Sequence, residues 1–257
     1  MNGGYVALLD VLGFSALVGG DIGGDKIRDY LDCLRRATYQ SEVDYVVFSD
    51  SIVLTAKGDG PESLIAVAGA CSRLLADLLN ASIPLRGAIA FGDFFRSRIS
   101  ESVFVAGRAV IDAYRFEQAQ DWIGVMVAPS ALERVSDLNA RCLLLESHGT
   151  VDQIQELRRR LPWPAFIQPC HRIPFRAASP LEDSTFDGFA VVHTSGALEP
   201  AALRDSIKAS MDRLTWLRSI APSPSAQQKY EETSNWLSAI QQLWHRVAYY
   251  QEQAARG

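Results

Sequence analysis

The 257-residue sequence contains only four cysteines and four histidines, and they are scattered along the chain. No Cys-x-x-Cys pair occurs, and the histidines lack the spacing that metal ligands show. Neither a structural zinc site nor a disulfide framework is therefore expected. We expect the cysteines to be small buried residues of a cytoplasmic protein, and they are Cys33, Cys71, Cys142 and Cys170.

Long apolar runs and blocks of basic residues are also missing. No apolar run approaches the roughly 20 residues that a membrane-spanning helix needs. The N-terminus, MNGGYVALLD, has no basic region before its short apolar run, so a signal peptide is not expected. The net charge is -5 and no Lys/Arg cluster occurs, so neither a nucleic-acid groove nor a membrane contact is indicated.

The sequence does have enough apolar residues for a sizeable core. Hydrophobic residues make up 48% of it and charged residues 21%, which is typical of a globular protein. Its length suits one large domain or one domain with an extension. We divide it into a domain over residues 1–147 and an extension over 148–257.

Hydrophobic periodicity in the first 147 residues predicts the element order β-α-α-β-β-α-β-β-α-β, followed by a short helix and a strand. The pattern places a helix over 26–40, a hairpin over 43–57 with Ser49 and Asp50 in its turn, and a strand over 84–92 that returns over FFRSRIS. Later strands are expected over 122–128 and 142–145. Two split βαβ units of this kind predict a ferredoxin-like α+β sandwich with helices on one face.

The extension has weaker signals. A charged helix is expected over 151–161 and a strand that extends the sheet over 186–194. Two helices follow over about 199–219 and 225–254, separated by APSPSA. Their apolar stripe, rich in tryptophan and leucine, predicts packing on the domain or on a second subunit rather than a cofactor site.

Two apolar runs end in a single aspartate, and these aspartates are the first candidate functional residues. Asp10 follows YVALL, and Asp50 follows VVFS. A lone aspartate after a strand is often a turn former or a helix cap. Two strands that each deliver a carboxylate can also assemble a two-metal site for phosphoryl transfer.

A short helix is expected directly after Asp10. The amides at its start would be free to hold an anion, and they belong to Leu12, Gly13, Phe14 and Ser15. The side chain of Ser15 also has the alternative role of a helix cap.

Four motifs over residues 4–146 together resemble the class III nucleotidyl cyclase family. They are DVLGFS, FSDSIVLTA, LRGAIAFG and GRAVIDAYRFE, and they occur in the family's order. The resemblance implies the cyclase type of ferredoxin-like fold, with Asp10 and Asp50 as the two metal-binding aspartates. It also implies that the Val11 carbonyl binds metal and that Arg115 stabilises charge at the reacting phosphate. From the resemblance we also expect two Mg2+ or Mn2+ ions, and a nucleoside triphosphate bound at Leu12 to Ser15.

The positions that read the base depart from the family. Val46 stands where the family has a lysine or glutamate, Phe104 where it has an aspartate or cysteine, and Ile111 where it has an asparagine. Because a purine edge needs paired donors and acceptors, Val46 and Phe104 offer it nothing. The sequence is most similar to the bacterial pyrimidine cyclases of Pycsar anti-phage systems, which make cyclic UMP or cyclic CMP for a co-encoded effector.

The resemblance implies a homodimer whose sites lie between the subunits, with Arg115 supplied by the partner. UTP is expected ahead of CTP, with Tyr45, Val46 and Phe104 at the base pocket. The candidates for reading the base are Tyr45, Tyr114 and Arg86. The two tyrosines have the alternative role of packing residues, and Arg86 has that of a structural ion-pair partner. The alternatives are a purine cyclase and an inactive cyclase-like dimer that only binds nucleotide.

Overall fold

The computed structural model of the chain contains one mixed β-sheet with helices on both faces. It describes residues 2–20, 24–39, 42–100, 102–135, 167–170, 173–176, 188–191 and 200–254. The sheet has eight strands among the described residues, seven of them in the order β2-β3-β1-β4-β6-β8-β7, with β5 paired to β4.

The first four strands form a ferredoxin-like unit. Its elements are β1 (Asn2–Val11), α1 (Phe14–Gly20), α2 (Asp25–Thr38), β2 (Asp44–Phe48), β3 (Ser51–Lys57), α3 (Pro61–Asn80) and β4 (Leu85–Ile99). Strand β1 lies between β3 and β4 and is antiparallel to both, and β2 pairs with the outer side of β3. This is the spatial order of the split βαβ motif. The predicted α+β ferredoxin-like fold is therefore confirmed.

A second unit continues the sheet. It contains β5 (Ser102–Gly107), α4 (Arg108–Ala119), β6 (Val125–Val127), α5 (Pro129–Leu132) and a 3-10 turn (Glu133–Val135). Strand β6 runs parallel to β4, and α4 makes the crossover between the two. The predicted strand over 122–128 is thus shorter than expected.

Strand β4 is longer than the sequence suggested. The segment FFRSRIS continues β4 to Ile99, and its hairpin partner is β5, with Phe94 opposite Gly107 and Ile99 opposite Ser102. The prediction that FFRSRIS returns as the partner strand is wrong. The chain reverses after Ile99, where Ser100 has a φ of 57°.

The two faces of β1 are both covered, because both of its alternating sets of residues are apolar. Tyr5, Ala7 and Leu9 pack with α2 and α3 in the main core. Val6 and Leu8 pack on the opposite face with residues of α4. The prediction that helices cover one face only is therefore wrong, and Asp10 falls on the α4 face by strand alternation.

The described residues after 166 pack against the preceding part of the chain. Strands β7 (Ile167–Cys170) and β8 (Gly188–Val191) extend the sheet beyond β6, and helices α6 (Pro200–Ser219) and α7 (Pro224–Ala254) follow. The α6–α7 core contacts Leu79 and Ile123 of the domain. The hydroxyl of Thr233 accepts from the Ile123 amide and donates to its carbonyl, both at 2.9 Å.

Some sequence predictions lie outside the described residues. They are the strand over 142–145, the helix over 151–161 and the environment of Cys142. The other three cysteines, Cys33, Cys71 and Cys170, are buried, as expected. Among the described helices, none combines the length and the apolar content required to cross a bilayer.

Candidate active site

The structure brings Asp10 and Asp50 together at one end of the sheet. Asp10 is the penultimate residue of β1 and lies opposite Ser51, the residue after Asp50. The Val11 amide donates to the carbonyl of Asp50 at 2.9 Å, which fixes the two segments side by side. The juxtaposition that the two sequence runs suggested is therefore present.

A tight turn holds Asp50 at this position. Residues 49 and 50 alone separate β2 from β3, since Phe48 pairs directly with Ser51. Ser49 has a φ of 56°, in the left-handed region that few residues other than glycine adopt without strain. The turn leaves Asp50 half-buried beside the end of β1.

Asp10 lies in an environment that disfavours its negative charge. Its side chain is 24% exposed. Burial raises the pKa of Asp10 above its ordinary value of 3.8, and the charges of Glu117 and Asp50 raise it further, against the opposing charge of Arg86. A bound cation would relieve this repulsion.

Arg86 and Glu117 form a buried ion pair beneath Asp10. The Arg86 Nε donates to Glu117 Oε1 at 2.8 Å, and its Nη1 donates to the carbonyl of Gln120 at 3.1 Å. The Arg86 Nη2 lies 3.5 Å from Asp10 Oδ2. Because these contacts are buried, the suggestion that Arg86 reads a base is wrong, and its alternative role as a structural ion-pair partner holds.

Glu117 is the partner that the sequence reasoning missed. It lies on α4 and is almost fully buried, although glutamate is rarely buried without a partner. The signal was available: Glu117 falls two residues after Arg115 in GRAVIDAYRFE, at helical spacing from the buried Ala113. An acid on the apolar side of a helix indicates a buried base nearby.

The turn between β1 and α1 differs from the prediction at one amide. The Leu12 amide donates to the carbonyl of Pro84 at 2.9 Å, so it is not free to hold a phosphate, and that assignment of Leu12 is wrong. The amides of Gly13, Phe14 and Ser15 make no hydrogen bond within the described chain. Gly13 has a φ of 75°, which its lack of a Cβ permits, and the space beside it is open.

Arg115 does not converge on the aspartates of its own chain. Its side chain is 71% exposed on α4, and its nearest acidic partner is Asp112, at 3.9 Å. Its neighbours Ile111 and Tyr114 are also more than half exposed. This surface of α4 is available to a second chain.

The candidate base-pocket residues occupy different surfaces. Val46 is half-buried and pairs with Val53, on the same face as Asp10. Tyr45 pairs with Leu54, so by strand alternation its side chain lies on the opposite face from Val46. Phe104 is half exposed and packs against Phe95, with ring centroids 6.4 Å apart.

A polar pair that the sequence reasoning missed lies near Val46. Asp44 is two residues before Val46, on the same face, and its carboxylate is 3.1 Å from Arg96 Nη1. The Arg96 Nε is buried and has no hydrogen-bond partner among the described residues. Period-two spacing from Val46 marks Asp44, but nothing in the local sequence indicates that Arg96 of β4 lies beside it.

The donor set fits Mg2+ or Mn2+. Two carboxylates and the Val11 carbonyl offer oxygen ligands, which these hard cations prefer. The described residues contain no group of three or more His, Cys, Asp or Glu side chains placed to hold a metal ion. A site with few protein ligands suits Mg2+, which usually keeps waters and substrate phosphates in its shell.

A cavity of about 680 Å3 separates the β1–α1 turn from the start of α7. Gly13 and Leu17 line one wall, and Pro222 and Tyr230 line the other. Leu12 also packs against the α6–α7 core. The extension therefore contacts the segment that carries the free amides.

No protein-family model and no curated protein matches the sequence. Solved structures do match. Adenylate cyclases from Trypanosoma brucei, described in their monomeric state, share 12% identity over 77% of this chain and 92% of theirs, with a TM-score of 0.47. The adenylyl cyclase CyaB from P. aeruginosa shares 13% identity over 74% and 94%, with a TM-score of 0.44.

A third similar structure is the dimeric guanylyl cyclase domain of the RhoGC fusion protein from the aquatic fungus Blastocladiella emersonii. It shares 13% identity over 53% of this chain and 85% of its own, with a TM-score of 0.42. All three likenesses concern the fold.

Proposed function

We propose that this protein is a class III nucleotidyl cyclase, which converts a nucleoside triphosphate into its 3′,5′-cyclic monophosphate and pyrophosphate. The observation that carries the proposal is the pairing of Asp10 and Asp50 at the end of β1 in a ferredoxin-like sheet. A generic interaction module has no need of two neighbouring carboxylates whose charges repel. We also propose that the chain consists of a catalytic domain over residues 1–147 and an extension over residues 148–257.

The reaction is an intramolecular phosphoryl transfer. The ribose 3′-oxygen forms a bond to the α-phosphorus and gives its proton to water. The bond from the α-phosphorus to the bridging oxygen breaks, and pyrophosphate leaves with the electron pair of that bond. Two divalent ions, when bound, supply a lower pKa for the 3′-hydroxyl and neutralise phosphate charge. Asp10 and Asp50 would hold these ions together with the Val11 carbonyl, and the amides of Gly13, Phe14 and Ser15 would bind the β- and γ-phosphates.

Arg115 acts on the site of the partner chain in this proposal. Its exposed guanidinium is suited to stabilise the charge that develops on the α-phosphate, where a preorganised cation contributes most. A symmetric homodimer with two shared sites follows. The exposed Ile111 and Tyr114 on the same helix support an interface at this surface.

The proposed substrate is a pyrimidine nucleotide, with UTP ahead of CTP. Val46 lies on the face of Asp10 and offers no hydrogen bond to a purine edge, and Phe104 offers none either. Asp44 lies two residues before Val46 on the same face and pairs with Arg96, and these two side chains can accept from and donate to a base edge. The product would act as a second messenger in anti-phage defence, read by a separate cyclic-nucleotide-binding effector.

The test is to incubate the purified protein with Mn2+ and each labelled nucleoside triphosphate in separate reactions. Cyclic UMP or cyclic CMP, absent from the same reactions with Asp50→Asn, is the expected product. Cyclic AMP or cyclic GMP alone would support a purine cyclase instead. No product from any triphosphate would favour a cyclase-like dimer that binds nucleotide without turning it over.

A further inference from the structure

Gln120 is a fully buried polar residue that directly follows α4 and contacts the ion pair of Arg86 and Glu117. Its backbone carbonyl accepts from Arg86 Nη1 at 3.1 Å. Its side-chain amide donates to the carbonyl of Gly87, the residue after Arg86, at 2.9 Å. The same amide donates to the carbonyl of Phe116, the residue before Glu117, at 2.8 Å. One side chain thus joins the strand and the helix that carry the two charges.

The indole of Trp122 fixes the orientation of this amide. Its Nε1 donates to Gln120 Oε1 at 2.7 Å, and both residues are fully buried. An indole N–H can only donate, so the amide oxygen has to face it and the Nε2 group has to face the two carbonyls. The reverse orientation would leave buried polar groups unpaired, which is costly. Gln120 therefore has one favourable conformation, and Trp122 selects it.

Helix α7 holds Trp122 and the residue after it in place. Trp236 packs edge-on against Trp122, with ring centroids 5.2 Å apart. One turn earlier, the buried hydroxyl of Thr233 bonds the amide and the carbonyl of Ile123, both at 2.9 Å. Residues three apart lie on one face of a helix, so a single face of α7 makes both contacts. The C-terminal helix thus reaches the segment that orients Gln120.

We propose that Gln120 is a positioning residue for Asp10, acting through Arg86, and that α7 keeps Gln120 in place. The inference rests on the proposed function, in which Asp10 is a metal ligand. Arg86 Nη2 lies 3.5 Å from Asp10 Oδ2, which leaves the other oxygen of the carboxylate to a metal ion. Outer-shell groups that orient a ligand commonly change metal affinity 10–100-fold when they are removed.

The first test is Gln120→Met, which keeps a side chain of similar length and removes its three hydrogen bonds. Mn2+ binding to the full chain is measured by water-proton relaxation, and thermal unfolding is measured in EDTA. We expect Mn2+ affinity to fall about tenfold, because Arg86 is no longer held toward Asp10. The melting temperature should fall as well, since the Trp122 indole loses its acceptor.

The matched control is Arg73→Met, which also removes side-chain bonds between two elements. Arg73 of α3 donates to the carbonyl of Ala37 on α2 through Nε at 3.2 Å and Nη2 at 2.9 Å. We expect a lower melting temperature and unchanged Mn2+ affinity, because neither residue belongs to the candidate site. The comparison separates loss of stability from loss of position.

The role of α7 is tested by a second pair of variants. Thr233→Val keeps the shape of the side chain and removes the bonds to Ile123, whereas the exposed Thr215 bonds only within its own helix, to the Met211 carbonyl at 2.9 Å. We expect Thr233→Val to weaken Mn2+ binding severalfold and Thr215→Val to leave it unchanged. Thr233→Ser, which keeps the hydroxyl, should restore the affinity. If Gln120→Met does not fold, this pair carries the test.

Mn2+ affinity that stays unchanged in Gln120→Met and Thr233→Val while the melting temperature falls would overturn the proposal, because the network would then only stabilise the fold. An equal loss of affinity in Arg73→Met would overturn it too, and so would a wild-type protein that binds no Mn2+.

Failure of the proposed reaction gives a different result. If wild type turns over no triphosphate but its Mn2+ affinity still depends on Gln120, the positioning role stands and the cyclase activity does not. If wild type makes cyclic nucleotide and these variants bind Mn2+ normally, the positioning role alone is lost.

Discussion

The guanidinium of Arg86 lies 3.5 Å from the carboxylate of Asp10 but binds Glu117 more closely, at 2.8 Å through its Nε. The single positive charge of Arg86 thus interacts with two carboxylates, and it lies closer to Glu117 than to Asp10. Asp10 is left with a raised pKa although a cation is next to it. This imbalance is the electrostatic basis for expecting a second source of positive charge at the site.

Replacing Asp50 with asparagine should abolish turnover without unfolding the protein. The change removes one of two carboxylate ligands, and loss of the metal's charge stabilisation should lower kcat on the order of 10²–10³-fold or more. Cyclic nucleotide production and size-exclusion chromatography are the measurements. The control is Asp93→Asn, an exposed acid of β4, which should keep full activity.

Asp10→Asn should stabilise the metal-free protein at neutral pH while it removes activity. The pKa of Asp10 is raised in the fold, so the folded state binds this proton more tightly than the unfolded state. The stability associated with that proton is present below pH 3.8 and is lost as the pH rises through the raised pKa. Asparagine has no carboxyl proton to lose, so the variant is not destabilised in this way as the pH rises.

The check is the melting temperature of both proteins in EDTA across an acid-to-neutral series. The advantage of Asp10→Asn should be largest at neutral pH and should shrink as the pH approaches 3.8. A variant that melts below wild type at neutral pH would show that the contact with Arg86 outweighs burial.

Removing one member of the buried pair should destabilise the fold strongly. Glu117→Ala leaves the buried Arg86 guanidinium without its main partner, and such a loss costs about 3–5 kcal/mol in the free energy of unfolding. Urea denaturation measures it. Arg36→Ala breaks the exposed pair of Arg36, which is 61% exposed, with Asp77 and should cost about 1 kcal/mol or less. Equal losses in the two variants would contradict the structural role of Glu117.

The shared-site dimer makes a prediction about mixed variants. Arg115→Met should lower kcat about 10²–10³-fold with little change in stability, because the side chain is exposed. Mixing it with Asp50→Asn should restore activity, since one site of each heterodimer then has both residues. Random pairing gives about one quarter of wild-type activity. No recovery, with subunit exchange shown by mass spectrometry, would place Arg115 and Asp50 in the same chain's site.

Strand patterns predicted the fold better than the surroundings of the site. Apolar runs before Asp10 and Asp50 marked both strands. The antiparallel register of β1 and β3 then places the two aspartates side by side. The apolar run from Tyr5 to Leu9 indicates burial on both faces of β1, but it could not show that α4 is the helix that covers the second face. Nor could local sequence show that the Leu12 amide is used by Pro84, a contact 72 residues away along the chain.

Long-range pairs of polar residues were also beyond the sequence. Arg86 and Glu117 are 31 residues apart and Asp44 and Arg96 52 apart, and each pair depends on how elements cross in space. The bonds of Thr233 to Ile123 belong to the same class, since nothing in the local sequence of α7 indicates them. Periodicity predicts which face a side chain occupies, whereas partners across the fold require the tertiary structure.

The decisive experiment for the proposed cyclase identifies the product formed from an equal mixture of ATP, GTP, CTP and UTP with Mn2+. Mass spectrometry identifies the cyclic nucleotide, and the Asp50→Asn protein supplies the background. We expect cyclic UMP as the main product, with cyclic CMP next and purine products at background. Cyclic AMP or cyclic GMP as the main product would contradict the inference that Val46 disfavours a purine base. No cyclic product at all would contradict the proposed cyclase activity.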